Sequence, residues 1–222
     1  MKNTPPTSCP VAICSPKGLM QQLANLASHG YRWIRTYDYS CPAECWQEID
    51  GRLLERYRLQ LQASKDQRYR RQKAGLNNAK LLRLDSHAYI LATDGTDDAG
   101  IRSQEGLTEL QPRDIGLPVG GDLVVELTTR NGHWTWSFSR ESHAQLKNHL
   151  LDAARRGNRR DVQTTLDQVV TLVEPKGRIR RELTAMISSA VKEAKMRRFA
   201  WKESDFFIRR ARKAVPVYQD HY

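Results

Sequence analysis

The chain has 222 residues, with 36 Lys/Arg against 25 Asp/Glu, a formal net charge of +11 and a hydrophobic fraction of 39%. That length holds one large domain or two small ones with a buried core, and the composition is that of a soluble globular protein. No run approaches the ~18 apolar residues of a membrane span and no apolar stretch follows Met1-Lys2-Asn3-Thr4-Pro5-Pro6 as a secretion signal requires, so the expectation is a cytoplasmic protein with reduced cysteines and no membrane partner.

In chain order, Ser15 reads as an N-cap and Pro16 as a first-turn residue. The helix they start has Leu19, Met20, Leu23, Leu26 and Ala27 on one face and stops at Gly30. Residues 31–39 alternate as a strand, with Tyr31, Trp33, Tyr37 and Tyr39 on one side. A second helix is predicted over residues 44–57, with Trp46, Ile49, Leu53 and Tyr57 as its stripe. Ser64 and Gly75 bracket a short third helix of very polar character, and strands follow at 79–84 and 87–93 around an Asp85-Ser86 turn. Residues 94–121 read as a long acidic loop with one short strand near 108–110.

The clearest local signal is Asn131-Gly132 between two alternating runs, residues 123–129 and 133–139. Asn-Gly favours a two-residue type I′ turn. With Arg130 opposite His133, the register sets Thr129 against Trp134, Leu127 against Trp136 and Val125 against Phe138 on one face. Thr128 meets Thr135 and Glu126 meets Ser137 on the other. Beyond the hairpin, Ser139 caps a helix to Arg156 stopped by Gly157. Residues 161–172 carry Val162, Leu166, Val169 and Val170 in register, and Pro175-Lys176-Gly177 breaks the pattern. Ile179, Leu183, Met186, Ile187, Ala190, Val191 and Ala194 then form the longest stripe, and a last helix is predicted over 204–214.

Charge is sorted along this order. Residues 1–84 carry 14 Lys/Arg against 6 Asp/Glu, residues 85–122 carry 2 against 8, and residues 140–222 carry 19 against 10. Two basic regions separated by an acidic one imply built positive surfaces, and the commonest partner for these is a polyanion. The first surface is Arg56, Arg58, Lys65, Arg68, Arg70, Arg71 and Lys73, interleaved with Tyr57 and Tyr69. The second is Lys192, Lys195, Arg197 and Arg198, followed by Arg209, Arg210, Arg212 and Lys213 on the last helix. Lys and Arg neutralise phosphates, while Tyr57, Tyr69 and Trp201 are candidates to stack on unpaired bases. Two helices joined by a short turn, the second strongly basic, also suggest a helix-turn-helix-like arrangement.

Cys9, Cys14, Cys41 and Cys45 are spaced unlike a zinc ribbon. The first helix and the strand after it nevertheless return the two pairs to one end of a layer, where four thiolates are candidates for a structural zinc, set against a reading as ordinary small apolar residues. Asp94, Asp97 and Asp98 are candidates to bind a divalent metal, set against a reading as solvated turn residues. His87, His133 and Tyr89, with Lys80 and Arg83, contain a general base, an acid and a cation for metal-independent phosphodiester cleavage, provided the two hairpins share a sheet. No GxxxxGK[ST], HExxH or His-x-His motif occurs.

The resulting expectation is an α+β protein with an antiparallel sheet of four to five strands formed by two hairpins, N-terminal helices and a helical C-terminal region. It divides into residues 1–138 and a basic helical region, 139–222, packed on the first. The functional expectation is a non-catalytic nucleic-acid-binding protein, for RNA or DNA, that needs no cofactor. The alternatives are a small nuclease using the hairpin histidines and a structural subunit of a nucleoprotein assembly with protein partners.

Overall fold

The computed structural model describes residues 12–13, 15–62 and 64–208. Ser15 accepts the Gly18 N–H at 3.2 Å and opens helix α1 (Pro16–Ser28). Gly30, at φ +85, turns the chain into strand β2 (Tyr31–Asp38). Helix α2 (Ala43–Arg56), a 3-10 turn (Leu59–Gln62) and helix α3 (Lys65–Lys73) lead to the hairpin β3 (Ala79–Leu84) and β4 (His87–Thr93). A four-residue helix α4 (Ile101–Gln104) and strand β5 (Thr108–Glu109) complete a first compact unit, which reaches to Leu110. Its sheet has the order β1-β3-β4-β2-β5, antiparallel except where the two-residue β1 (Ala12–Ile13) runs parallel to β3.

Consecutive residues of β3 and β4 are buried, as in a sheet covered on both faces. Helix α1 packs on β2 and β3. Leu54, Tyr57, Leu59, Leu81, Ile90 and Ile101 form a separate cluster to which Trp33, Tyr37 and Tyr39 add their rings. Tyr31 is buried but does not join these rings: a register shift between Tyr31 and Trp33 breaks the alternation expected along β2. On α2 the deepest side chains are Asp50 and Leu54, one position on from the expected Ile49 and Leu53.

The second unit begins at Gln111. Strands β6 (Gly116–Gly120), β7 (Leu123–Arg130) and β8 (His133–Phe138) form an antiparallel sheet in that order. The β7–β8 pairing has the register anticipated above, from Arg130 opposite His133 to Val125 opposite Phe138. Asn131 and Gly132 have φ of +50 and +77, the signs a type I′ turn needs. Strand β6 was hidden in the acidic segment by Pro118, which an edge strand tolerates.

Helices α5 (Arg140–Arg155) and α7 (Gly177–Met196) pack on the hairpin strands and on each other, with α6 (Arg159–Leu172) against α5. Every residue of the α7 stripe is buried. Glu182 of α7 accepts the outward-facing Phe138 N–H of edge strand β8 at 3.0 Å. These contacts place the hairpin with the C-terminal helices, so the boundary falls at 110/111 rather than at 138/139. The α+β architecture stands as antiparallel sheets with N-terminal helices and a helical C-terminal region, its two hairpins in separate sheets. Among the described residues, no helix is long and apolar enough to cross a membrane.

Candidate nucleic-acid interface

The acidic segment is folded onto the first basic surface. Asp94 accepts the Trp33 indole N–H at 2.9 Å and lies 3.7 Å from Arg32. Asp97 accepts the backbone N–H groups of Ile101 and Arg102 and the Asn77 amide. Asp98 receives both terminal nitrogens of Arg71, at 3.1 and 2.5 Å. That hydrogen-bonded guanidinium holds the Asp98 carboxyl below its ordinary value. Asp97 and Asp98 are thus engaged by protein donors, and no group of three or more His, Cys, Asp or Glu among the described residues is arranged to hold a metal ion.

Helix α3 has no buried residue. Ser64 and Gln67 close a capping box at its start. Its other attachments are polar: Arg71 also donates twice to the Asn77 carbonyl, Arg68 donates to the Gln62 carbonyl, and Asn78 donates to the Arg68 carbonyl. Arg71 therefore acts as a latch and is largely buried, which removes it from the expected surface. Arg56 is turned to Gln104 at 2.9 Å and lies over the Tyr57 ring. Arg58, Lys65, Arg70 and Lys73 stand exposed, and Tyr69 beside them is 65% exposed.

Tyr57 is 0% exposed and cannot stack on a base. It closes α2 as its C-cap, the apolar stripe carries its ring into the core, and its hydroxyl donates to Glu105, as does that of Tyr37. Burial, and then the Glu105 carboxylate, push the Tyr57 phenol up to about 12.

In the second unit, three helix ends converge. Arg155 near the end of α5 reaches Glu193 near the end of α7 at 3.1 Å. Gly157, just past α5, is backed by the Phe199 ring beyond α7. Arg156 meets Asp161, and Arg159 meets Asp205 while lying over the Phe206 ring. Arg197 returns to Glu193 at 3.7 Å. Arg160, Lys192, Lys195 and Arg198 remain exposed at this end, with no carboxylate partner among the described residues. Sequence reasoning found the last three. It missed Arg160, although the run Arg155-Arg156-Gly157-Asn158-Arg159-Arg160 at a helix boundary was the available signal.

Trp201, 7% exposed, packs between Phe199 and Phe206 and is no stacking platform. The last helix does not start at Ser204. A 3-10 turn (Glu203–Asp205) is closed by the Asp205 carboxylate on the Lys202 N–H, and Phe206 is extended at φ −118, ψ 138. Residues 206–208 continue without helix, so α7 is not followed by a recognition helix among the described residues. Arg209, Arg210, Arg212 and Lys213 lie outside the described residues.

The catalytic alternative required the two hairpins to share a sheet, and they do not. His87 pairs with Asp38 at 3.3 Å at the exposed start of β4, whereas His133 belongs to the other sheet. Tyr89 is buried and its phenol is pushed up to about 12 by that burial. Arg83 is held at 2.7 Å by Asp50, whose carboxyl burial pushes up against the Arg83 and Tyr39 hydrogen bonds that draw it down. Lys80 is lowered by burial and then by Arg68. Cys41 and Cys45 are free thiols at the start of α2, and Cys9 and Cys14 lie outside the described residues. Comparison of the chain with protein-family models and with curated proteins finds no match.

Proposed function

We propose that the chain is a non-catalytic, cytoplasmic nucleic-acid-binding protein that captures the phosphate backbone on two basic surfaces. The observation that carries this reading is the end of the second unit, where Arg160, Lys192, Lys195 and Arg198 have no carboxylate partner among the described residues while their neighbours are paired. A structural role for such residues would bring carboxylates to them. Phosphate capture needs them free, because affinity comes from releasing counterions. The distribution of charge over the folded units supports the same end. Among the described residues, the first unit to Leu110 holds 14 Lys/Arg and 12 Asp/Glu, and the second, 111–208, holds 17 against 12. The exposed Lys65, Arg70 and Lys73 on α3 supply the other surface, smaller than the sequence suggested because Arg56, Arg68 and Arg71 hydrogen-bond within the chain.

The test is binding of labelled single- and double-stranded RNA and DNA over a salt series, in EDTA and then in magnesium. Replacing Arg160, Lys192, Lys195 and Arg198 by Ala together should flatten the slope of log K against log salt by about 3, with the probe intact throughout. An unchanged slope excludes this surface, and probe cleavage excludes the non-catalytic reading.

A further inference from the structure

The segment after α7 is fastened to α6 in a way that a surplus tail does not need. Phe207 N–H donates to Gln163 Oε1 at 3.0 Å, and Gln163 Nε2 donates back to the Phe207 carbonyl at 3.2 Å. The same Nε2 donates to Asp167 at 3.1 Å, which fixes the amide's orientation. One residue earlier, Phe206 is buried against Trp201, and Arg159 grips Asp205. In an extended backbone successive side chains point to opposite sides. Fixing Phe206 inward and clamping the backbone at Phe207 therefore holds the Phe207 ring outward, where it is 68% exposed.

An exposed phenylalanine on a mobile tail needs no explanation. One held by a reciprocal amide clamp is presented. Its surroundings specify what for. Arg160 lies three residues before Gln163, hence one turn away on the same face of α6, and is one of the unpaired cations. An aromatic face with an exposed guanidinium on the adjoining helix suits an unpaired base attached to a phosphate.

We infer that Phe207 is a base-stacking platform for single-stranded nucleic acid, held in place by Gln163 and flanked by Arg160. This rests on the phosphate-binding reading above and adds the strand state of the ligand. It replaces Tyr57 and Trp201, which the fold buries, as the aromatic partner.

The experiment compares a labelled single strand, an abasic sugar–phosphate strand of equal length and the corresponding duplex, with the full chain. Phe207→Ala should lower affinity for the base-bearing strand by about tenfold, leave the abasic strand and the duplex unchanged, and leave the salt slope unaltered. Phe207→Leu should lose as much as Ala, and Phe207→Trp should retain affinity. Gln163→Ala, which keeps the ring but releases its backbone, should weaken the base-bearing strand several-fold, with the circular dichroism spectrum unchanged. If Phe207→Ala binds all three probes like the parent while the Arg160/Lys192/Lys195/Arg198 variant does not, stacking is wrong and phosphate capture stands. Full affinity in Phe207→Leu would also overturn stacking, because an apolar contact would then suffice. Absence of binding by the parent chain would remove the underlying reading and this inference with it.

Discussion

Gly157 shows how a single position ties helix termination to the basic end of the second unit. It stands at φ +67 as the left-handed stop of α5, and a Cβ built there would lie 2.5 Å from the Phe199 ring. Gly157→Ala should therefore cost about 2 kcal/mol, combining left-handed backbone strain with displacement of a ring that packs on Trp201. Gly132→Ala, at φ +77 with open space around it, should cost only the backbone part, about 1 kcal/mol. Urea denaturation of the two variants measures the difference, and equal losses would show that Phe199 yields freely. Asp98 gives a pH signature in the first unit. Its folded pKa is lowered by Arg71, so the unfolded chain binds the proton more tightly. The stabilisation is present above the unfolded value of about 3.9 and is lost as pH falls through the folded one. The urea midpoint should drop on acidification below about pH 4, and Asp98→Asn should show a smaller drop. An identical acid limb in the variant would exclude the Arg71–Asp98 pair as its cause.

Helix α3 and the β7–β8 hairpin are secured by opposite means. The hairpin is built on apolar burial, with Val125, Leu127, Trp136 and Phe138 all buried. Leu127→Ala should destabilise by about 2–5 kcal/mol through the lost transfer energy and the cavity left behind. In α3 no side chain is buried, so apolar truncation has nothing to act on. Arg71→Ala should destabilise by about 1–3 kcal/mol, because it removes the guanidinium that donates to both the Asn77 carbonyl and Asp98. Lys65→Ala, Arg70→Ala and Lys73→Ala combined should leave the unfolding free energy within about 0.5 kcal/mol of the parent, yet alter the salt dependence of binding. A large loss of stability in the triple variant would mean that these cations hold the helix rather than display charge.

Across the whole chain, folding redistributes the charge that the sequence sorts so visibly. The acidic block is split. Asp94, Asp97 and Asp98 fold back among the cations of the first unit, while Asp114 and Asp122 fall in the second. Each unit has its own buried core, with Leu91 wholly buried in the first and Leu127 in the second. Local opening free energies follow such cores. Leu91→Ala should accelerate amide exchange in the sheet of β2, β3, β4 and β5 and leave protection of the β6–β7–β8 sheet near that of the parent. Equal acceleration in both sheets would show that the two cores unfold as one cooperative unit.

Most elements were legible because their signals are local. Ser15, Gly30, Ser64, Ser139 and Gly157 act on the backbone within a few residues, Asn131-Gly132 determines a turn and hence a register, and the α7 stripe repeats at the helical period. Long-range pairing is not encoded at that range. No local pattern says that Asp98 meets Arg71, that Glu105 receives Tyr37 and Tyr57, or that Arg155 meets Glu193 and so gathers three helix ends. The candidate site was legible as composition, in the cations of α3 and of the α7 end. Which of them are free, and which aromatic ring is exposed, follows only from the fold, because a charge becomes available or engaged according to the carboxylates that tertiary structure brings within hydrogen-bonding distance.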